Sequence, residues 1–160
     1  MKLDRNNYPY IALDSFDVAK SVPTAFTGSA NERGDKDGTQ SAFTVFAVTG
    51  EVIVRVYGVC TATLVGAGTL ELGITGNTAL LIAQVSDATT IATADVWVDA
   101  TVGEVRGVAL SGVPASTVIV NGNDIIETTA GTDITSGNIY YICLWRPLSP
   151  DGLVTSSYPS

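Results

Sequence analysis

The sequence contains no histidine. Histidine is the side chain that most often serves as a general base in enzymes and as a ligand for metal ions in proteins. The G-x-S-x-G motif of serine hydrolases and the G-x-x-x-x-G-K phosphate-binding loop are also missing from the sequence. These absences exclude the common catalytic constellations, and we expect a protein that is not an enzyme and that uses no cofactor.

Charged residues are scarce, and long apolar runs do not occur. Charged side chains make up 15% of the 160 residues, against about 25% in an average globular protein. Sixteen acidic and eight basic residues give a net charge of −8, which disfavours binding to nucleic acid. Because no run of about 18 apolar residues and no signal-peptide core is present, we expect a soluble protein that contacts no membrane.

The sequence has two cysteines, Cys60 and Cys143, and each lies in an apolar segment of strand-like composition. A chain of 160 residues is long enough to bury a core without a disulfide or a metal ion. The spacing alone leaves open whether the two thiols pair. We expect buried, reduced thiols, because free cysteine behaves as a small hydrophobic residue.

Residues 1–40 differ in composition from the rest of the chain and predict an extended N-terminal arm. Scattered apolar residues precede a polar stretch, GSANERGDKDGTQ, which is typical of a loop or linker. Ordering each residue costs about 1–2 kcal/mol, and burying so few apolar side chains, at about 2 kcal/mol each, does not offset that cost. The arm must therefore lie on its own domain, lie on a neighbouring subunit or remain mobile. Its candidate partner contacts are Tyr8, Tyr10, Ile11, Leu13 and Phe16.

Residues 41–150 show the alternation of apolar and polar residues that is typical of β-strands. In GEVIVRVYGVC, for example, Val52, Val54 and Val56 point to one face. Eight or nine such segments are separated by turn residues at the spacing expected of a sandwich. No segment offers the dozen or so apolar-periodic residues that a βαβ crossover needs. We therefore predict an all-β, antiparallel, jelly-roll-like β-sandwich, with turns at Gly66-Ala67-Gly68, Thr75-Gly76-Asn77 and Asn121-Gly122. The first and the last of these turns are interpreted as hairpins.

The same alternation occurs in TLELGI, DVWVD and STVIV, where the last segment has Val118 and Val120 on one face. In DVWVD, Val96 and Val98 are expected to face the core. Trp97 is then on the opposite face, where it could contact a partner or a sugar. The alternative for Trp97 is a core position in the second layer of the sandwich.

The segment NIYYICLWRPL is apolar on both faces, which is typical of a central strand or of a strand covered by a neighbour. Pro147 is expected to end this strand, because proline cannot donate a backbone hydrogen bond. Residues 151–160 then predict an irregular C-terminal tail.

No group of carboxylates predicts a catalytic or metal site. On one strand, Asp95 and Asp99 would lie roughly 13 Å apart, beyond the ~5–9.5 Å used by glycosidases, and they are interpreted as part of a solvated face. The oxygen-bearing residues Asp124, Glu127 and Asp133, with Asn121 and Asn123 nearby, fit no known calcium-loop spacing.

The tripeptide Arg33-Gly34-Asp35 spells an integrin-binding motif and is interpreted as a chance occurrence. The overlapping segment DKDG, residues 35–38, is similar to the start of a calcium loop, but its glycine comes too early and the closing glutamate is missing. We interpret DKDG as a flexible turn.

Four segments, GEVIVRVYGVC, LELGITGNTALLIAQ, VWVDATVGEV and YYICLWRPLSPDG, resemble a family of small bacteriophage proteins encoded among virion head genes. The likeness covers roughly residues 49–153. It implies a head decoration, or cement, protein that is made in the host cytoplasm, binds the major capsid protein on the outer capsid surface and stabilises the head. The resemblance also implies a homo-oligomer, with threefold symmetry if the subunits sit at lattice threefold positions.

A second function, from a different class, is that of a carbohydrate- or receptor-binding module of a phage head or tail fibre. An outward Trp97 flanked by Asp95 and Asp99 would suit that function, because aromatic rings commonly supply the contact area of binding sites.

Overall fold

The computed structural model describes residues 16–38, 41–100 and 116–157 of the chain. In this part of the chain, ten β-strands form two antiparallel sheets, and a single turn of 3₁₀ helix, Ala88–Thr90, follows the fifth strand. The strands are β1 (Asp17–Lys20), β2 (Ala42–Thr49), β3 (Val52–Val65), β4 (Thr69–Ile74), β5 (Asn77–Val85), β6 (Val96–Trp97), β7 (Thr117–Ile119), β8 (Ile125–Ala130), β9 (Ser136–Pro147) and β10 (Leu153–Ser156).

Sheet A has the strand order β1-β9-β3-β6, and β7 also pairs with β3. Sheet B has the order β10-β2-β8-β4-β5. The chain changes sheet repeatedly, for example from β2 to β3 and from β3 to β4, so most strand pairs join residues distant in sequence. The predicted all-β sandwich is confirmed, and the finer jelly-roll arrangement stays a prediction.

The two longest strands, β3 and β9, form the centre of sheet A. Val52, Val54 and Val56 are at most 1% exposed, as their alternation predicts. On β9 the inward residues include Tyr141 and Cys143, both fully buried. Because β9 lies between β1 and β3 and ends at Pro147, its predicted central position and end are confirmed.

One hydrophobic core fills the space between the sheets. Sheet B contributes Phe46, Leu70, Leu72, Ile82 and Ile125, all fully buried. Each such side chain contributes about 1.5–3 kcal/mol when it leaves water, so this core is the main source of stability.

The three turns named above lie where they were predicted, but two of them make a different connection from the expected one. Thr75 and Gly76 form the β4–β5 hairpin, and Gly76 has a φ of +88°. Gly66-Ala67-Gly68 and Asn121-Gly122 are not hairpins, because each leads from a strand of sheet A to a strand of sheet B. Asn121 and Gly122 both have positive φ, at 58° and 62°, so the chain does turn sharply there.

Residues 16–38, placed in the arm by composition, pack on their own sandwich. Strand β1 pairs with β9, Ala25 forms an isolated bridge with Asn138, and Phe26 is 2% exposed. Of the three placements considered for the arm, this part of it takes the first. Residues 1–15 lie outside the described residues.

The expected irregular tail is wrong for its central part, because β10 pairs with β2 as an edge strand. Two short strands also have the opposite facing from the expected one. In β7 the buried residue is Ile119, while Val118 is 54% exposed, and Val120 just beyond it is 43% exposed. In β6 it is Trp97 that is fully buried.

Candidate functional site

The outward-pointing side chains of sheet A form one continuous surface, which we call the sheet A outer face. The strand registers place Ile53 opposite both Arg146 and Val118, and Tyr57 opposite Ile142. Its members are Val18 and Lys20 of β1, Ile53, Arg55, Tyr57 and Val59 of β3, Val118 of β7, and Tyr140, Ile142, Leu144 and Arg146 of β9.

Large apolar and aromatic side chains dominate this face. Val18 is 64% exposed and Val118 is 54% exposed, and the β3 and β9 members are half-buried. The outer face of sheet B carries small or polar side chains such as Thr44, Thr69 and Thr128, beside the apolar Ile126 and the exposed Leu153 of β10. The outer layer of a sandwich is ordinarily polar, and a contiguous apolar surface marks an interaction site.

The cations of the sheet A outer face lie against aromatic rings. The Lys20 ammonium is 4.2 Å from the centroid of the Tyr140 ring. The guanidinium carbons of Arg55 and Arg146 are 5.1 Å and 5.7 Å from the centroid of the Phe16 ring. Among the outward residues named above, none carries a carboxylate. The face therefore combines apolar area with positive charge on a chain whose net charge is −8.

The predicted partner contacts are distributed unevenly. Phe16 is half-buried and its ring lies against Arg55 and Arg146 of the sheet A outer face, whereas Tyr8, Tyr10, Ile11 and Leu13 lie outside the described residues.

The prediction of an outward Trp97 is wrong, because Trp97 is fully buried and its ring centroid lies 6.2 Å from that of Tyr141. Its indole N–H donates a hydrogen bond to the Asp99 carbonyl oxygen at 2.9 Å. Trp97 therefore belongs to the core, and neither a partner nor a sugar can stack on it in this fold.

A polar cluster of Arg33, Glu127 and Tyr141 lies inside the sandwich. Arg33 enters from the β1–β2 connection, Glu127 projects inward from sheet B, and Tyr141 projects inward from sheet A. The Arg33 Nε donates to Glu127 Oε1 at 2.9 Å, and Nη2 donates to Oε2 at 2.5 Å. The Tyr141 hydroxyl donates to the same Oε2. The side chains of Arg33 and Glu127 are 3% and 1% exposed.

The charged and polar groups of the cluster are paired with one another. Burial alone would lower the pKa of Arg33, but attraction to the Glu127 carboxylate raises it, so the guanidinium stays charged. Burial and the nearby Glu127 charge raise the pKa of Tyr141 well above its usual value. Arg33 Nη1 also donates to the carbonyl oxygens of Thr24 and Ile139, and its guanidinium lies 4.1 Å from the Phe26 ring centroid. The arrangement joins the β1–β2 connection to both sheets, which is a structural function.

A groove of about 590 Å³ lies beside this cluster and is lined by Thr24, Thr27, Glu32 and Phe43, among others. Arg33 also borders it but directs its donors to Glu127 and to backbone carbonyls. The guanidinium is therefore already engaged on the protein side of the groove.

The integrin-type tripeptide is buried, since Arg33 is 4% exposed and Asp35 is 8% exposed. The two Asp35 carboxylate oxygens accept hydrogen bonds from the backbone N–H groups of Asn31 and Asp37 at 2.8 Å and 2.9 Å. Asp35 therefore connects the two ends of this loop, and the flexibility expected of residues 35–38 stays a prediction.

The carboxylates considered for calcium lie apart in the fold. Glu127 belongs to the buried cluster, Asp124 Oδ1 accepts from the Val48 N–H at 2.9 Å, and Asp133 Oδ1 accepts from the Lys36 N–H at 3.1 Å. Among the described residues no group of three or more His, Cys, Asp or Glu side chains is placed to hold a metal ion.

Asp95 and Asp99 lie on either side of β6, and the expected exposure to solvent holds only for Asp99. Asp99 is exposed, but Asp95 is 9% exposed and accepts from the Ala92 N–H at 2.8 Å. The two carboxylates therefore do not share one solvated face.

Both cysteines are free and buried, as expected. Burial raises the pKa of Cys60 to about 11 and that of Cys143 to about 12. Neither thiol therefore has the thiolate character that nucleophilic chemistry requires.

Within the described ranges, no helix has both the length and the apolar character needed to cross a lipid bilayer. Comparison of the chain with protein-family models, with curated proteins and with solved structures finds no match.

Proposed function

We propose that the protein is a non-enzymatic structural protein of a bacteriophage particle, which binds the outer surface of the capsid and stabilises the head. The observation that carries the binding function is the sheet A outer face, an apolar and cationic surface on an acidic protein. The phage assignment depends on the sequence resemblance, and two of the segments that carry it are the strands β3 and β9 that form this face.

The partner that fits this surface is a protein face with apolar side chains and carboxylates, here assigned to the major capsid protein. Full burial of an exposed valine is worth about 1.5 kcal/mol, or about tenfold in Kd. Val18 and Val118 lie on strands at the two sides of the face, so both can be buried by one flat partner surface. Because many copies bind one lattice, modest contacts per subunit suffice for stable attachment.

The carbohydrate-binding alternative depended on an outward Trp97. With Trp97 in the core, no described feature favours that function.

The test is co-sedimentation of the purified protein with expanded capsids that lack it, followed by heating of the capsids. We expect saturable binding and greater heat resistance. The double variant Val18→Asp/Val118→Asp should reduce affinity at least tenfold, because each aspartate places an unpaired charge in the interface. The matched control is Leu153→Asp, which changes an apolar residue of similar exposure, 45%, on sheet B.

Equal loss of binding in the double variant and in Leu153→Asp would contradict the use of the sheet A outer face. Absence of binding by the native chain at any concentration would contradict the proposed function itself. Circular dichroism and thermal melting of both variants establish that the sandwich remains folded.

A further inference from the structure

Two arginines of the sheet A outer face lie against one aromatic ring. The guanidinium carbons of Arg55 on β3 and Arg146 on β9 are 5.1 Å and 5.7 Å from the centroid of the Phe16 ring. Arg55 lies opposite Leu144, and Arg146 follows two residues later on β9. Such diagonal neighbours on adjacent strands are roughly 7–8 Å apart. Arg55 and Arg146, which we call the arginine pair, therefore lie side by side, and both are half-buried.

Phe16 holds the arginine pair in place. It precedes Val18 by two residues, and alternation along an extended chain puts the two side chains on the same face. Both guanidinium carbons lie within the range, about 6 Å, at which an aromatic ring attracts a cation. A further contact fixes Arg55, because its Nε donates a hydrogen bond to Ser116 Oγ at 2.8 Å. Both cations are thus positioned before a partner arrives, which lowers the entropic cost of binding.

The arginine pair concentrates positive charge in one part of the face. Two like charges this close repel one another, and an anion placed beside both of them relieves the repulsion. Asp17 follows Phe16 and Glu51 precedes β3, but among the described residues neither carboxylate forms a salt bridge with the pair. A guanidinium has five N–H donors, so a carboxylate can be added to the contacts that both arginines already make.

We propose that the arginine pair, positioned by Phe16, is a binding site for a carboxylate of a protein partner. A carboxylate is planar and has two oxygens, which match the parallel N–H donors of a guanidinium. Ile53 lies opposite Arg146, and Val118 lies opposite Ile53, so the site borders apolar area. An aspartate or glutamate set in an apolar protein surface fits this combination. As a contact with the major capsid protein, the inference rests on the proposed function.

The first experiment uses no capsids and follows the arginine Nε–H resonances of the full chain by NMR during addition of a hexaglutamate peptide at low salt. We expect saturable shifts of the Arg55 and Arg146 resonances. The buried Arg33 is an internal reference and should not shift. A neutral glycine–serine peptide of the same length should shift none of them.

Variants separate the arrangement of the site from its net charge. Arg55→Lys/Arg146→Lys should weaken peptide binding about fivefold or more with no change in charge, because lysine does not offer a rigid fork of donors. Phe16→Leu should weaken binding about threefold, because the stacking is lost, whereas Phe16→Tyr keeps a ring and should bind like the native chain. Lys36→Gln removes a basic residue outside the face and is the matched control.

Absence of saturable shifts in the native chain would overturn the proposal. Equal peptide binding by the native chain and by the double lysine variant would also overturn it, because charge alone would then explain the binding. The same variants are then tested for co-sedimentation with capsids. Native capsid binding that the double lysine variant retains in full would show that the site is not used there. Peptide binding without capsid binding would contradict the proposed function and leave the carboxylate site standing.

Discussion

Removal of the buried guanidinium tests whether the Arg33 cluster holds the β1–β2 connection in place. In Arg33→Met the aliphatic stem is largely retained, but Glu127 keeps its carboxylate at 1% exposure and loses its bidentate partner. Breaking a buried ion pair on one side costs about 3–5 kcal/mol, because an uncompensated charge is left in the interior. The upper part of that range is expected, since Arg33 also donates to the Ile139 carbonyl oxygen and packs on Phe26.

This loss is large compared with a typical total stability of about 5–15 kcal/mol. For a domain of this size it corresponds to a fall in Tm of about 10 °C or more. The assay is urea denaturation followed by circular dichroism, with the midpoint and the slope fitted separately. A matched control is Lys36→Met in the same loop, where the lysine side chain is 33% exposed and its ammonium pairs with Asp37 at the surface. That change should cost less than about 0.5 kcal/mol.

The double variant Arg33→Met/Glu127→Leu completes the cycle. Removing both charges leaves no unpaired ion, so the double variant should be more stable than Arg33→Met by at least about 1 kcal/mol. If Arg33→Met lowers the free energy of unfolding no more than Lys36→Met does, the cluster does not stabilise the fold. If the losses in the free energy of unfolding caused by Arg33→Met and by Glu127→Leu simply add in the double variant, the coupling between Arg33 and Glu127 is refuted.

The remaining predictions concern glycine and cysteine. Gly66 and Gly76 both have positive φ, at 112° and 88°, but an added Cβ at Gly66 would lie 2.1 Å from the Asp133 carbonyl oxygen, whereas Gly76 has open space. In thermal denaturation Gly76→Ala should cost about 1 kcal/mol and Gly66→Ala at least about 2 kcal/mol more, and equal costs would contradict the clash. Because burial raises the pKa of Cys60 to about 11 and of Cys143 to about 12, a thiol reagent at neutral pH should label neither cysteine until urea unfolds the chain. Rapid labelling of the native protein would show that these thiols are not buried as described.

Most of the sandwich could be predicted from the sequence, because alternation of apolar and polar residues over a long segment identifies a strand and shows which of its faces is buried. This holds for β3, where three valines two residues apart are buried, and for β9, whose apolar faces indicated a central position. It fails for β6 and β7, because both alternating sets of such short strands are apolar enough to face the core. The alternation then shows that these segments are strands but not which of the two alternating sets of side chains faces the core. In the structure, Trp97 and Ile119 are the buried residues.

The candidate site was less predictable. Phe16 was predicted among the partner contacts, but the outward residues of β3 and β9 were not. The outward face of β3 was given no role, and β9, apolar on both faces, was interpreted as a central or covered strand. A polar segment that composition marks as a linker supplies Arg33 to the core, where Glu127 and Tyr141 meet it from opposite sheets. Nothing in the polar segment itself indicates that Arg33 pairs with a carboxylate 94 residues away.

The sequence by itself therefore determined the β class, the positions of the turns, the buried reduced cysteines and the expectation of a binding protein without catalytic residues. Those properties depend on composition and on contacts between near neighbours in the chain. Only the tertiary structure decided which turns cross between sheets and which face of sheet A is left apolar on the outside. These features depend on pairing between strands that are far apart in sequence. The periodicity of side chains along one strand does not indicate which other strand it pairs with.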